Sequence, residues 1–213
     1  VAGSTDIIYI QYSSGTTSKT KGVMVREKNL IADVMGLIDR MQVTSDDVFF
    51  SWQPLTHCYG MITYHIVPLV VGCNQYLMPT ELFMTKPLLW AQNASRYKAT
   101  MLGMIPFAMK HFVDVERKSQ GCLDVDLSGI KGILVGGELV ANSVCNDFTQ
   151  CLSKYGLNNN ALMPAYGLAE CVTIASLAEV GDEVKHYRLK YTDIQIGKTP
   201  EFCTDAQEGM DVV

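Results

Sequence analysis

The feature that most constrains the fold is a regular alternation of short apolar runs with longer amphipathic segments. The runs are rich in Val, Ile, Leu, Met, Phe and Tyr and are bounded by Gly, Pro, Asn or Asp, a pattern that predicts strands. The predicted strands cover 7–11, 22–25, 48–52, 75–78, 100–103, 132–135, 162–165 and 172–176, and the predicted helices cover 27–41, 59–71, 86–97, 106–118 and 142–155. This order predicts an α/β fold with a layered, mostly parallel β-sheet and flanking helices. Ligands of such folds usually bind beyond the carboxyl ends of the strands.

Charge and hydropathy argue against two classes of partner. The chain carries 17 Lys and Arg against 22 Asp and Glu, and its basic residues form no run. We therefore expect no nucleic-acid partner, because phosphate neutralisation needs clustered cations. The longest apolar stretch, 66–73, is far shorter than the roughly 20 residues of a membrane span, so we expect no span. Residues 1–6 show no signal-peptide pattern.

The seven cysteines are scattered and include no C-x-x-C pair. A secreted disulfide framework would favour an even number of cysteines in a shorter chain. We therefore predict reduced thiols and a cytoplasmic location.

One stretch, 48–80, contains no Asp, Glu, Lys or Arg, so only His57 and His65 can carry charge there. Charged residues resist burial, and a charge-free stretch of this length predicts an interior position. Two interpretations remain open, namely plain core and the lining of an apolar pocket.

The loop 12–22, which follows the first predicted strand, carries six Ser and Thr hydroxyls, two glycines and two lysines. Phosphate chains are bound by such a mixture of accessible backbone N–H groups, hydroxyl donors and ammonium groups. The spacing is not that of a Walker A loop. A flexible polar linker is the alternative, but the position between two apolar strands favours a phosphate loop.

Two further motifs follow predicted strands. In the first, Gly136 and Gly137 precede Glu138, and paired glycines permit close backbone approach to a planar ligand. In the second, Tyr166 offers a ring on which a base can stack, and Glu170 offers a hard oxygen ligand for Mg²⁺. Taken singly, each motif is ordinary turn chemistry.

The three motifs in this order resemble those of the adenylate-forming superfamily, which includes acyl-CoA synthetases, fatty acyl-AMP ligases and the adenylation domains of peptide synthetases. The phosphate loop of that superfamily reads roughly Y-[TS]-S-G-[TS]-T-G-x-P-K-G. Here Lys21 and Gly22 match, while Ser18 and Thr20 replace a glycine and a proline. The resemblance extends to 194–200, which is similar to the family's G-x-P-containing strand.

Two details are similar to fatty acyl-AMP ligases in particular. The segment Y-G-L-A-E at 166–170 has Ala169 where most relatives carry Thr. The segment S-W-Q-P-L-T-H-C-Y-G at 51–60 resembles their S-W-L-P-L-Y-H-D-M-G, with His57 at the family histidine and Cys58 in place of Asp.

The resemblance implies a ligase that converts a carboxylic acid, expected to be fatty acyl, and ATP into an acyl-adenylate and pyrophosphate. Transfer to a pantetheine thiol would follow, with coenzyme A and an acyl carrier protein both open as acceptors. The implied catalytic residues are Lys21, Glu170 and His57, with Glu170 as the Mg²⁺ ligand. The implied nucleotide-binding residues are Ser14, Gly15, Thr16, Thr17, Lys21, Gly137, Glu138, Tyr166 and Gly167.

A physical argument also favours an uncharged acyl group. Amino-acid-activating members of the superfamily hold the substrate ammonium with an Asp in roughly the region of 48–80, where this chain has no carboxylate. An unpaired buried ammonium costs several kcal/mol, so a neutral alkyl or aryl acid fits better.

The resemblance implies that residues 1–213 form part of the large AMP-binding domain only. The ribose-binding T-G-D segment, the hinge and the small C-terminal domain with its catalytic lysine have no counterpart in this sequence, so we expect no turnover by this chain alone. The alternative function is a non-catalytic docking or scaffold module on a degenerate version of the fold. The off-pattern residues Ser18, Thr20 and Cys58 favour that alternative.

Overall fold

The computed structural model describes residues 5–13, 20–119, 123–190, 197, 199, 201–203 and 209–213. The strands are β1 (Ile7–Ser13), β2 (Lys21–Arg26), β3 (Val48–Ser51), β4 (Asn74–Leu77), β5 (Met101–Met104), β6 (Gly132–Val135), β7 (Leu162–Tyr166), β8 (Ser176–Leu177), β9 (Tyr187–Lys190) and β10 (Gly209–Val212). The helices are α1 (Glu27–Arg40), a π-helix (Tyr59–Ile66), α2 (Val67–Val71), α3 (Thr80–Thr85), α4 (Leu88–Arg96), α5 (Pro106–Lys118), α6 (Asn142–Ser153) and a 3₁₀ turn (Ala169–Cys171).

The central sheet has the strand order β4-β3-β5-β6-β7-β8. Its first five members run parallel, and β8 pairs antiparallel with β7. The order reverses between β3 and β5, and ligands of open α/β sheets bind at such a reversal, beyond the carboxyl ends of the strands. The predicted α/β fold with a mostly parallel sheet and flanking helices is confirmed.

Side chains that alternate along each strand build one core on each face of the sheet. Leu102 and Ile133 pack with α4, α5 and α6, whereas Met101 and Leu134 pack with α1, the π-helix and α2. Burial on both faces explains why these strands are continuous apolar runs rather than alternating ones. No helix among the described residues is long and apolar enough to cross a membrane.

The π-helix is anchored to the sheet by two buried tyrosines. Tyr64 Oη donates to the Leu102 carbonyl at 2.7 Å, and Tyr59 Oη donates to the Leu134 carbonyl at 2.9 Å. The close approach requires Gly103, where an added Cβ would lie 2.4 Å from Tyr64 Oη. Much of the charge-free stretch 48–80 is therefore core.

Several predicted boundaries need correction. The strand predicted over 172–176 is wrong except at its last residue, because Val172 has a φ of +72° and no extended pairing. The helix predicted over 59–71 begins as a π-helix, and the helix predicted over 86–97 begins only at Leu88, after the unpredicted α3. The predicted strand within 194–200 lies almost entirely outside the described residues.

The first two strands form an antiparallel hairpin that is separate from the central sheet. The residues 14–20 between them are too few for a parallel crossover, which needs a dozen or more. The predicted phosphate loop thus lies between two strands, as expected, and these strands are paired; residues 14–19 of the loop lie outside the described residues. A second antiparallel pair, β9 with β10, was not predicted.

The buried Asp47 joins the amino ends of three central strands. Its carboxylate accepts the Thr44 backbone N–H at 2.8 Å, the Thr100 hydroxyl at 2.7 Å and the Lys131 ammonium at 3.1 Å. Burial alone would raise the pKa of Asp47, but these donors outweigh burial and lower it.

We predict that Asp47→Ala lowers the free energy of unfolding by about 2–3 kcal/mol, because it removes a buried carboxylate to which three partly buried groups donate. The neighbouring, exposed Asp46→Ala is the control and should change it by less than about 0.5 kcal/mol. Since the pKa of Asp47 is lowered in the folded state, its contribution is present above the ordinary aspartate pKa and is lost as the pH falls through the lowered value. Urea unfolding at several pH values measures both effects, and equal stabilities of the two variants would contradict the prediction.

Candidate functional site

A cavity of about 610 Å³ lies at the carboxyl edge of the central sheet, and we call it the central cavity. Four segments that are distant in sequence form its walls, namely the β1–β2 hairpin, the segment before the π-helix, the turn after β6 and the turn after β7. The lining includes Gln11, Tyr12, Lys21, His57, Cys58, Gly136, Gly137, Gly167, Glu170 and Thr173.

A second cavity of about 680 Å³, the side cavity, adjoins the central one, and both are lined by Gly137, Ala165 and Gly167. Tyr166 and Glu138 line the side cavity, and the ring of Tyr166 is two-thirds exposed. The rest of its wall is mixed, with apolar residues beside a few charged ones.

The structure brings most of the predicted site residues to these two cavities. Lys21, His57 and Glu170 line the central cavity, and Tyr166 and Glu138 line the side cavity. Gly137 and Gly167 lie at the junction. The predicted phosphate-binding residues Ser14, Gly15, Thr16 and Thr17 lie outside the described residues. The functional roles of all these residues remain predictions.

Lys21 is held at the cavity by the hairpin. It is the first residue of β2 and pairs with Ser13, the last residue of β1. The hairpin is tied to the segment before the π-helix, because Gln11 Nε2 donates to the Thr56 carbonyl at 3.3 Å. The Lys21 side chain is exposed, so its ammonium can neutralise an anion in the cavity.

His57 lies in this segment, one residue after Thr56. The Tyr59 backbone N–H donates to His57 Nδ1 at 3.1 Å, so the neutral ring carries its proton on Nε2. Burial lowers the pKa of His57, so the imidazole is neutral at pH 7 and offers Nε2–H as a donor. Burial raises the pKa of the adjacent Cys58 thiol, which therefore adds no negative charge.

Glu170 lies in the 3₁₀ turn and carries an exposed carboxylate. Among the described residues that line the central cavity it is the single carboxylate, and it has no ion-pair partner among the described residues. Mg²⁺ in nucleotide sites is usually held by one or two carboxylates together with phosphate oxygens and water. A hard-oxygen ligand in a cavity that Lys21 also lines fits that pattern.

The two glycines of the turn after β6 are required by the backbone. A Cβ on Gly136 would lie 2.6 Å from the Ala165 carbonyl oxygen, and Gly137 has a φ of +86°. The following Glu138 accepts the Phe107 backbone N–H at 2.8 Å and so caps α5. A carboxylate is stabilised there by the partial positive charge of the helix N-terminus.

Comparison with known proteins identifies the family of this chain. The family model for AMP-binding enzymes matches residues 1–199. The chain belongs to the AMP-binding enzyme family. It is 34% identical over 179 residues to the medium-chain-fatty-acid–[acyl-carrier-protein] ligase JamA of Moorena producens, with 84% of this chain and 30% of that protein covered.

A second relative of this AMP-binding chain is the long-chain-fatty-acid–AMP ligase FadD32 of Mycolicibacterium smegmatis, at 27% identity over 97% of this chain and 33% of that protein. The crystal structure of fatty acyl-adenylate ligase from L. pneumophila in complex with acyl adenylate and pyrophosphate superposes with a TM-score of 0.87. That match has 29% identity and covers 95% of this chain and 36% of the other. The chain thus spans about a third of the length of these relatives.

Several residues that line the central cavity of this AMP-binding chain were not predicted from the sequence. Gln11 and Thr173 line the central cavity beside predicted residues. Asp33, which lies outside both cavities, was also missed. It lies on α1 next to the buried Val34, and burial raises its pKa to about 6. An acidic residue beside the apolar stripe of an amphipathic helix was the one signal that could have identified Asp33.

We predict that Gly167→Ala lowers the free energy of unfolding of this AMP-binding protein by about 1–3 kcal/mol. An added Cβ would lie 1.9 Å from the Thr173 carbonyl oxygen, a backbone atom, so the turn would have to open. Gly36→Ala on α1 is the matched control, since nothing lies within 4 Å of the added Cβ, and it should stabilise by about 0.5–1 kcal/mol. Urea unfolding distinguishes the two, and a Gly167→Ala variant as stable as wild type would contradict the prediction.

Proposed function

We propose that this chain is the nucleotide- and acyl-binding core of an acyl-activating ligase whose substrate is a fatty acid. The observation that supports this most is the convergence of Lys21, His57 and Glu170 on one cavity at the carboxyl edge of the sheet. The names of the relatives, which include fatty-acid–AMP ligases and a fatty-acid–carrier-protein ligase, favour the same substrate class.

In the proposed reaction, a carboxylate oxygen of the acid attacks the α-phosphorus of ATP. The new oxygen–phosphorus bond forms as the bond to the β-phosphate oxygen breaks, and pyrophosphate leaves with the electron pair. A pantetheine thiol then attacks the acyl carbonyl and releases AMP and a proton, with coenzyme A or an acyl carrier protein as acceptor.

The protein would contribute chiefly positioning and charge stabilisation. Lys21 would neutralise phosphate charge. His57 would donate its Nε2–H to the entering carboxylate, as its neutral tautomer allows. Glu170 would hold Mg²⁺, which would offset the negative charge of the phosphates and of the leaving pyrophosphate. Tyr166, Gly137 and the backbone of Glu138 would contact adenine in the side cavity.

We also propose that the chain works as part of a larger protein, since it spans about a third of the relatives' lengths. The ribose-binding segment and the small C-terminal domain would lie in the remainder. The experiments below therefore use the intact protein.

We predict that Glu170→Gln lowers fatty-acid-dependent ATP–pyrophosphate exchange by at least about tenfold, because the carboxylate that would hold Mg²⁺ is lost. Glu81→Gln, an exposed glutamate on α3, is the matched control and should leave the rate unchanged. Unchanged exchange in the Glu170 variant would refute the metal-binding role.

The substrate class gives a second prediction. Since 48–80 holds no carboxylate to pair with an ammonium, fatty acids should support exchange at least about 100-fold better than amino acids of similar size. Trapping of the acyl-adenylate with hydroxylamine measures the rate of adenylate formation from each of the two classes of acid. Equal rates with the two acids would contradict the proposal.

No exchange with any acid, together with no heat on titration of Mg·ATP, would instead favour a non-catalytic docking module, the function that the off-pattern Cys58 supports.

A further inference from the structure

The segment 167–175, which we call the Glu170 loop, leaves and rejoins the edge of the sheet at one point. The Ala175 N–H donates to the Tyr166 carbonyl at 2.9 Å, and the next contact, Ala178 N–H to the Pro164 carbonyl, is 3.0 Å. Inside the loop, Gly167 lies directly against the Thr173 carbonyl. Glu170 therefore lies on a short closed loop, whose two ends are held together by the contacts of Tyr166 with Ala175 and of Gly167 with Thr173.

The second half of this loop, from residue 172 to residue 175, contains a strained backbone conformation. Val172 has a φ of +72° and a ψ of −62°, a conformation that is an outlier for a β-branched residue. Such a conformation persists only where the surrounding structure determines it from several sides. Contacts with the surrounding structure must therefore hold this half of the loop.

Helix α1 lies against this loop and contacts the strand β8 that follows it. Asp33 lines one small cavity with Ile174 and another with Glu170. The Ile174 backbone N–H favours the ionised Asp33 carboxylate and so opposes the effect of burial on its pKa. Arg40 Nε donates to the Leu177 carbonyl at 2.9 Å, and its guanidinium pairs with Glu179. Asp33 and Arg40 are two helical turns apart and so share one face of α1. We call these two residues the α1 clamp.

Asp33 is placed at a cost in free energy. Its Oδ2 is buried and has no hydrogen-bond partner among the described residues, and the same holds for the nearby Tyr9 Oη. Burial raises the pKa of Tyr9 to about 12, and Cys58 and Asp33 add to that effect. Burying a carboxylate without full pairing is unfavourable, and the Ile174 N–H of the Glu170 loop offsets only part of that effect on the Asp33 carboxyl.

We propose that Asp33, assisted by Arg40, is a positioning residue that holds the Glu170 loop and thereby sets where the Glu170 carboxylate points into the central cavity. The clamp itself is independent of the reaction, whereas its effect on Mg²⁺ rests on the proposed function.

The test compares Asp33→Ala with Asp33→Asn and with the control Asp39→Ala, which removes an exposed acid from the same helix. The first readout is hydrogen exchange of backbone amides in 167–175 of the intact protein. Asp33→Ala should speed it at least about tenfold, because an amide that loses its acceptor and its support opens more often. Asp33→Asn keeps an acceptor oxygen and should stay within about threefold of wild type.

The second readout is the Mg²⁺ concentration for half-maximal pyrophosphate exchange. A misplaced ligand should raise it by about tenfold in Asp33→Ala, while the half-saturating fatty-acid concentration stays unchanged. A merely destabilised protein would lose rate without changing the Mg²⁺ dependence. Should Asp33→Ala fail to fold, Arg40→Ala should give the same two changes in smaller measure.

Hydrogen exchange in 167–175 that matches the Asp39→Ala control, or that rises equally throughout the protein, would overturn the proposal. So would localised exchange with an unaltered Mg²⁺ requirement in an active enzyme. If wild type shows no pyrophosphate exchange at all, the proposed function fails, and localised hydrogen exchange in Asp33→Ala still decides whether the clamp holds the loop.

Discussion

The site depends on the parallel register of β3, β5, β6 and β7, because that register brings the carboxyl ends of the strands to one edge. The edge is held from two directions. At the opposite edge, Asp47 joins the amino ends through Thr100 and Lys131. On one face, Tyr59 and Tyr64 fix the π-helix to the strand carbonyls, and His57 lies directly before that helix. Strand register thus positions the cavity wall, and little additional local structure is needed to bring its functional groups together.

The glycines of the two turn motifs are required by the packing of the cavity wall, independently of any ligand. Gly136 meets the Ala165 carbonyl, and Gly167 meets the Thr173 carbonyl, at distances that exclude any side chain. These backbone contacts close the turns after β6 and β7 against their neighbours. A planar ligand would benefit from the same absence of side chains, so one residue type satisfies both requirements. The glycine motif alone consequently cannot distinguish a nucleotide site from a tightly packed turn.

Local signals predicted the elements whose causes are local. The bounds 132–135 and 106–118 agree with β6 and α5, because glycine limits the first and Pro106 at the first helical turn limits the second. The strand predicted over 172–176 failed at its start because Val172 has a φ of +72°. The residues that follow it, Thr173 and Ile174, lie against Gly167 across the loop. Lys21 and Glu170 were found through the resemblance of their motifs, whereas Asp33 acts through a distant backbone amide and leaves no motif.

The charge of the central cavity limits how it could bind a nucleotide. Lys21 brings one positive charge and Glu170 one negative charge, while burial keeps His57 and Cys58 neutral. The described wall therefore has no net charge to set against a triphosphate, whose own charge is strongly negative. A divalent cation on Glu170 would make the wall positive, because it adds two charges where the carboxylate removes one. On this argument the carboxylate would repel a bare triphosphate and would favour it only when it holds the cation, and Lys21 and the cation-loaded Glu170 would then each contribute one net positive charge to the wall.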